Sequence, residues 1–116
     1  MVDFRVNDGL PWHPKTVGMT LPAIGLWTIG GAWCARYLTD GYIPTEVLHG
    51  FAGRHRAVIQ ELIDRNLITE LAGGYQYVDW LQYQRSKAEL ENEREQWRQR
   101  QARARRKRLG EPDVTP

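Results

Sequence analysis

The chain has 116 residues, 41% of them hydrophobic and including five Trp and five Tyr, enough for one small domain with its own core. Its single cysteine, Cys34, excludes an internal disulfide, and no segment approaches the ~20 apolar residues of a membrane helix. Met1 to Arg5 lack the basic-then-apolar order of an export signal, so an intracellular protein is expected. His13, His49 and His55 share no ligand spacing with Cys34, and no metal or other cofactor is expected. The formal charge is only +2 but is unevenly spread: residues 1–84 hold six Lys/Arg and eight Asp/Glu, and residues 85–116 hold ten and six. Within 94–108 there are eight cations and one anion, Glu95. A near-neutral body with a strongly basic tail points to a polyanionic partner.

In chain order, Phe4-Arg5-Val6 is expected as a short edge strand closed by the turn Asn7-Asp8-Gly9. Pro11 to Pro14 then leads to a helical turn through Lys15 to Met19. Thr20 is placed to cap a helix with Pro22 in its first turn, running to about Leu38. Its apolar positions, Ala23, Leu26, Trp27, Gly30, Trp33, Cys34 and Tyr37, step by three and four and are read as core. Gly25, Gly30 and Gly31 each weaken a free helix by roughly 1 kcal/mol against Ala, which predicts another element packed closely there. Asp40-Gly41 is a turn, and Tyr42-Ile43 a short strand.

The stretch Pro44 to Asn66 reads as two short helices joined at Phe51-Ala52-Gly53. Pro44 or Thr45 opens the first, and Gly53 ends it in a left-handed conformation. The second places Ile59, Leu62 and Ile63 on one stripe and carries Arg54, His55, Arg56, Gln60, Glu61, Asp64 and Arg65 on its other faces. This is a helix-turn-helix pattern with a basic N-terminal end. Leu67 to Leu71 and Tyr75 to Val78 flank Ala72-Gly73-Gly74 as a β-hairpin. Helix, short strand, two helices and hairpin is the order of a winged helix, so the expected fold is mainly α with a small β-hairpin.

Asp79 to Gln84 is a linker whose Trp80 and Tyr83 should pack back on the body. Ser86 and Glu89 form a capping box for a helix that meets no breaker before Gly110, with Glu-rich early turns and a Lys/Arg-rich end as the helix dipole favours. Glu91–Arg94 and Glu95–Arg98 are helix ion pairs. Leu90, Trp97 and Ala104, seven apart, form a thin apolar line, and Leu90 and Trp97 are candidates for a homodimer or partner interface. The expected organisation is a winged-helix domain over 1–84, a charged helix over 85–109 and a disordered tail over 110–116.

Several phrases together resemble a group of small winged helix-turn-helix proteins of actinobacteria and their phages. They are His13-Pro14-Lys15, Leu26-Trp27, Leu38-Thr39-Asp40-Gly41-Tyr42-Ile43-Pro44, Leu62-Ile63-Asp64-Arg65-Asn66-Leu67, Gly74-Tyr75, Asp79-Trp80 and Tyr83-Gln84. The likeness spans roughly 4–95. Such proteins are similar to the N-terminal DNA-binding domain of phage replication initiators and replisome organisers. The resemblance implies a DNA-related role in a bacterial host cytoplasm, at the nucleoid. The chain ends after the basic helix and is expected to lack the helicase-loading region of a full initiator.

For double-stranded DNA, Arg54, His55, Arg56 and Gln60 are placed to reach base edges in the major groove, Arg toward guanine O6/N7, and Arg65 to reach phosphate. The alternative is a solvated charged face, which Glu61 and Asp64 favour. The hairpin tip has no Lys or Arg, and Tyr75 and Gln76 are the candidates there for contacts with the nucleic-acid backbone. Arg94, Arg98, Arg100, Arg103, Arg105, Arg106, Lys107 and Arg108 wrap the last helix with charge, which suits DNA or RNA phosphates rather than bases; a solvating tail is the plain alternative. No phosphate-cradling glycine motif, nucleophile elbow or metal set is present, so no catalytic residue is assigned and an enzyme is not expected. The competing function is a protein-interaction module that binds a replication or transcription factor.

Overall fold

The structure is a computed structural model and describes residues 3–84 and 86–110. It is mainly helical with one small antiparallel sheet. The chain divides into two compact units, residues 1–84 and 85–116. The first contains α1 (Leu21–Tyr37), β1 (Tyr42–Pro44), α2 (Thr45–Ala52), α3 (Ala57–Asp64), β2 (Ile68–Leu71), β3 (Gly74–Tyr77) and α4 (Trp80–Tyr83). The second contains α5 (Lys87–Arg108). No helix among the described residues is long and apolar enough to cross a membrane. The expected tail beyond Gly110 lies outside the described residues.

Local chemistry explains most element ends. The Thr20 hydroxyl accepts from the Ala23 N–H and opens α1, with Pro22 in the first turn where no N–H is needed. Leu38 and Asp40 take left-handed backbone angles and turn the chain into β1. Gly53, at φ +54°, ends α2, a conformation that L side chains enter only with strain. β3 is the middle strand, in the order β1-β3-β2, with Ile43 opposite Tyr75 and Ile68 opposite Tyr77. The hairpin between β2 and β3 turns through Ala72-Gly73, as the glycine pair predicts.

The core lies between this sheet and the three helices α1, α2 and α3. Leu26 and Cys34 from α1, Leu48 from α2, Ile59 and Leu62 from α3, and Ile43, Ile68 and Tyr77 from the strands fill it. An aromatic cluster closes one side. Phe4 stacks on Trp80 at 5.7 Å and meets Trp27 edge-on at 5.1 Å, while Tyr77 meets Trp80 edge-on at 5.7 Å. The Tyr77 hydroxyl donates to the Trp27 carbonyl at 2.6 Å. Gly30 and Gly31 make this approach possible. A Cβ on Gly30 would run into the Tyr77 hydroxyl, and one on Gly31 into the Phe4 ring. Gly25 differs: nothing among the described residues lies within 4 Å of where its Cβ would be, so none of them packs there, contrary to the expectation from sequence.

Four other expectations are corrected. Phe4 to Val6 form no strand, because the Arg5 backbone is paired by a side chain: its N–H donates to Gln84 Oε1 at 2.8 Å and its carbonyl accepts from Gln84 Nε2 at 2.7 Å. The helical turn near the N-terminus sits at Leu10–Trp12, where the Asn7 carbonyl and Pro11 start it; Lys15 to Gly18 form plain turns. Tyr37 and Tyr83 are exposed rather than core, Tyr37 packing instead against the Trp33 ring at 5.0 Å.

Three measurements follow from this packing. Gly25→Ala should raise stability by roughly 0.5–1 kcal/mol through helix propensity alone, whereas Gly31→Ala should lower it by displacing Phe4. Gln84→Ala removes both bonds to Arg5 and should cost about 1–3 kcal/mol, with faster hydrogen exchange at the Arg5 amide. Burial pushes the Cys34 thiol up from its ordinary 9.0 to about 11, and burial likewise pushes the Tyr77 phenol well above its usual value. The unfolded chain therefore releases protons that the folded chain keeps. The Cys34 contribution to stability is full below pH 9 and is lost between pH 9 and about 11, which urea melts across that range would read.

Candidate nucleic-acid interface

The residues expected to read DNA occupy the junction of α2 and α3. After Gly53 ends α2, residues Gly53–His55 close one tight 3-10 turn, and α3 starts at Ala57. Arg54 and His55 thus lie in the connecting turn, not on the second helix as the apolar spacing suggests. Arg56 stands at the helix cap, and Gln60 alone of the four lies on α3. All four side chains are exposed. The side chains of Arg54, His55 and Arg56 make no hydrogen bond or ion pair among the described residues, while the Arg56 carbonyl accepts from the Ile59 N–H at 3.1 Å. They form a short cationic turn beside the α3 N-terminus, where the helix dipole adds positive potential. Gln60 Nε2 donates to Asp64 Oδ1 at 2.8 Å, which occupies one amide proton.

Two other charges of this stretch, Glu61 and Arg65, are half-buried and tied to other elements. Both Glu61 oxygens accept from Thr20, one from its N–H and one from its hydroxyl, each at 2.8 Å. This bond ties α3 to the cap of α1. Arg65 is half-buried and donates to the Val17 and Lys15 carbonyls. The guanidinium anchors the loop before α1. Lys15 Nζ completes the anchor, donating to the Asn66 carbonyl at 3.2 Å and lying 3.6 Å from Asp79.

The hairpin offers little to a polyanion. Tyr75 is buried, and its hydroxyl lies 3.1 Å from His49 Nε2. Burial, with the Glu70 carboxylate adding, raises its phenol above the usual value. Gln76 Nε2 donates to the Asp40 carbonyl at 2.9 Å. Of the two side chains expected at the nucleic-acid backbone, Tyr75 is buried and Gln76 is half-buried with its amide engaged. The His49–Tyr75 pair is a contact that spacing could not give, since the two are 26 positions apart.

The second unit is electrostatically polar along its length. The Ser86 hydroxyl accepts from the Glu89 N–H at 3.1 Å, as the capping pattern predicts, and Arg105 to Arg108 form the last turn. The helix spans 22 residues, about 33 Å. Arg94, Arg98, Arg100, Arg103, Arg105, Lys107 and Arg108 are exposed, and Arg106 is half-buried. At about 100° per residue they fall on several sides of the helix rather than one. Arg98 pairs with Glu95 at 2.7 Å, an exposed pair that is weak in water. Trp97 is 57% exposed, but Leu90 is buried, so of the two apolar side chains expected to meet a partner only Trp97 is open.

No protein-family model, curated protein or solved structure matches the chain.

The split between inward and outward charges is testable by stability. Glu61→Ala should cost about 1–3 kcal/mol, since it strips both bonds from the Thr20 cap, whereas Arg54→Ala and Arg56→Ala should stay within about 0.5 kcal/mol of the parent in urea melts.

Proposed function

We propose that the chain is a winged helix-turn-helix protein that binds double-stranded DNA. The observation that carries this reading is the exposed cationic turn Arg54-His55-Arg56 at the head of α3, on a helix held in place by Glu61 and Arg65. The order α1, β1, α2, α3, β2, β3, with the hairpin directly after the second short helix, supports the winged-helix class. Arg54 and Arg56 are assigned to the major groove, with His55 and Gln60 beside them. The cationic end of α5 supplies affinity through phosphates, without reading sequence. The sequence phrases above support a phage or prophage origin and a replication or regulatory setting in the host cytoplasm.

A second reading, a protein-binding module, is favoured by one observation: the large exposed Trp97 on α5. The two separate in one set of titrations with duplex DNA across salt concentrations. Under the DNA reading, changing Arg103, Arg105, Arg106, Lys107 and Arg108 to Gln lowers the slope of log K against log salt by about 0.9 for each phosphate that is no longer neutralised. Arg54→Glu with Arg56→Glu weakens binding to the preferred site most, and Trp97→Ala leaves it unchanged. If charge reversal at Arg54 and Arg56 leaves binding and biological effect intact while Trp97→Ala removes the effect, the protein-binding reading replaces it.

A further inference from the structure

The first unit holds a cavity of about 300 Å³ that the cationic turn does not touch. Protein interiors leave few voids larger than a water molecule, and a space of this size falls at the lower end of ligand pockets. Phe4, Trp27, Trp80, Tyr83, Leu10 and Leu67 supply its apolar wall. The rings of Phe4 and Trp80 lie 19° from parallel, and Trp27 meets Phe4 edge-on. Both sides of the cavity are pinned. The buried Thr16 hydroxyl donates to the Leu10 carbonyl and closes the loop on one side, and Gln84 holds the Arg5 backbone on the other. The cavity is thus formed before any ligand arrives.

Its charged lining is Arg5, Lys15 and Asp79, two cations against one anion. Lys15 Nζ lies 3.6 Å from Asp79 and donates to the Asn66 carbonyl, which leaves one of the three ammonium protons to spare. The Arg5 side chain is exposed and has no partner among the described residues. His13 also lines the cavity, and its Nδ1 accepts from the Lys15 N–H at 3.1 Å. The neutral ring therefore carries its proton on Nε2 and adds a further donor. An excess of cationic and N–H donors over one carboxylate suits an anionic group rather than a cation.

We infer that this cavity binds a flat aromatic carboxylate, with its ring against Phe4, Trp27 and Trp80 and its carboxylate on Lys15 and Arg5. Aromatic walls favour a planar ring through offset and edge contacts. A carboxylate accepts from Lys and Arg in charge-assisted bonds roughly twice as strong as neutral ones. The site also reaches α3: Lys15 holds the carbonyl of Asn66, two residues past the end of that helix, so a carboxylate drawn to Lys15 is felt at that peptide. The proposal stands apart from the DNA reading, since none of Arg54, His55, Arg56 and Gln60 lines the cavity.

An amide NMR titration of the full chain without DNA tests it, with naphthoate, naphthylmethanol and naphthylmethylammonium as probes that share one ring system and differ in charge. Naphthoate should bind with Kd on the order of 100 µM, the alcohol about tenfold more weakly and the ammonium more weakly still. Shifts should centre on Leu10, Lys15, Val78 and Trp80 and reach the Leu67 amide, which shares its peptide with the Asn66 carbonyl. Arg5→Gln keeps the backbone bonds to Gln84, so it should stay folded by circular dichroism. It should bind naphthoate roughly three- to tenfold more weakly and the alcohol as the parent does. Equal affinity for acid and alcohol, unchanged naphthoate binding in Arg5→Gln, no binding in the millimolar range, or naphthoate shifts confined to α5 and the Arg54 turn would each overturn the proposal.

Discussion

The contact between the Tyr77 hydroxyl and the Trp27 carbonyl, at 2.6 Å, joins the middle strand directly to the backbone of the longest helix in the first unit. A phenol can reach a helix carbonyl only where the next turn has no side chain in the way, and Gly30 provides that gap. Gly31 does the same for Phe4, which then covers Tyr77, Trp27 and Trp80. The buried hydroxyl is satisfied, so the cluster avoids the penalty of an unpaired polar group. Gln84 holds Arg5, and with it the neighbouring Phe4, in place at the edge of the same cluster. The two glycines that weaken α1 as a free helix are thus the positions that fix it against the sheet.

That frame decides how the cationic turn is presented. α3 is fixed by Leu62 and Ile59 in the core, by Glu61 at the Thr20 cap and by Arg65 at the preceding loop. Among the polar side chains of α3 and its C-cap, Glu61 and Arg65 bond to other elements and Gln60 pairs with Asp64, while the side chains of Arg54, His55 and Arg56 just before the helix have no partner among the described residues. Positioning by core packing and by bonds from Glu61 and Arg65, rather than by the cationic residues themselves, means that the basic side chains can change without loss of the fold.

Much of this was legible because the determining interactions are local. Thr20 with Pro22, Asp40-Gly41, Gly53, Ala72-Gly73 and Ser86 with Glu89 act within four residues, and each shows in the structure where the sequence places it. The failures have the opposite character. Phe4 to Val6 have strand-like residues, but their partner is a Gln side chain 79 positions away. Glu61 and Arg65 look like surface charges, yet their partners lie 41 and 48 positions upstream. Tyr37 falls on the side of α1 that carries Leu26 and Gly30, but as the last residue of the helix it is exposed; periodicity gives the side and not where the packing stops. The start of α3 slipped to Ala57 because a 3-10 turn and an α-helix share the same short-range residue preferences.

An amide NMR titration of the full chain with short duplex DNA tests the DNA reading most directly, because it locates binding residue by residue. The predicted result is that shifts concentrate on Arg54 to Gln60 and on the cationic turns of α5 from Arg94 to Arg108, with β2 and β3 unmoved. Shifts confined to α5, or spread without any at Arg54 to Gln60 for every duplex tried, would contradict it.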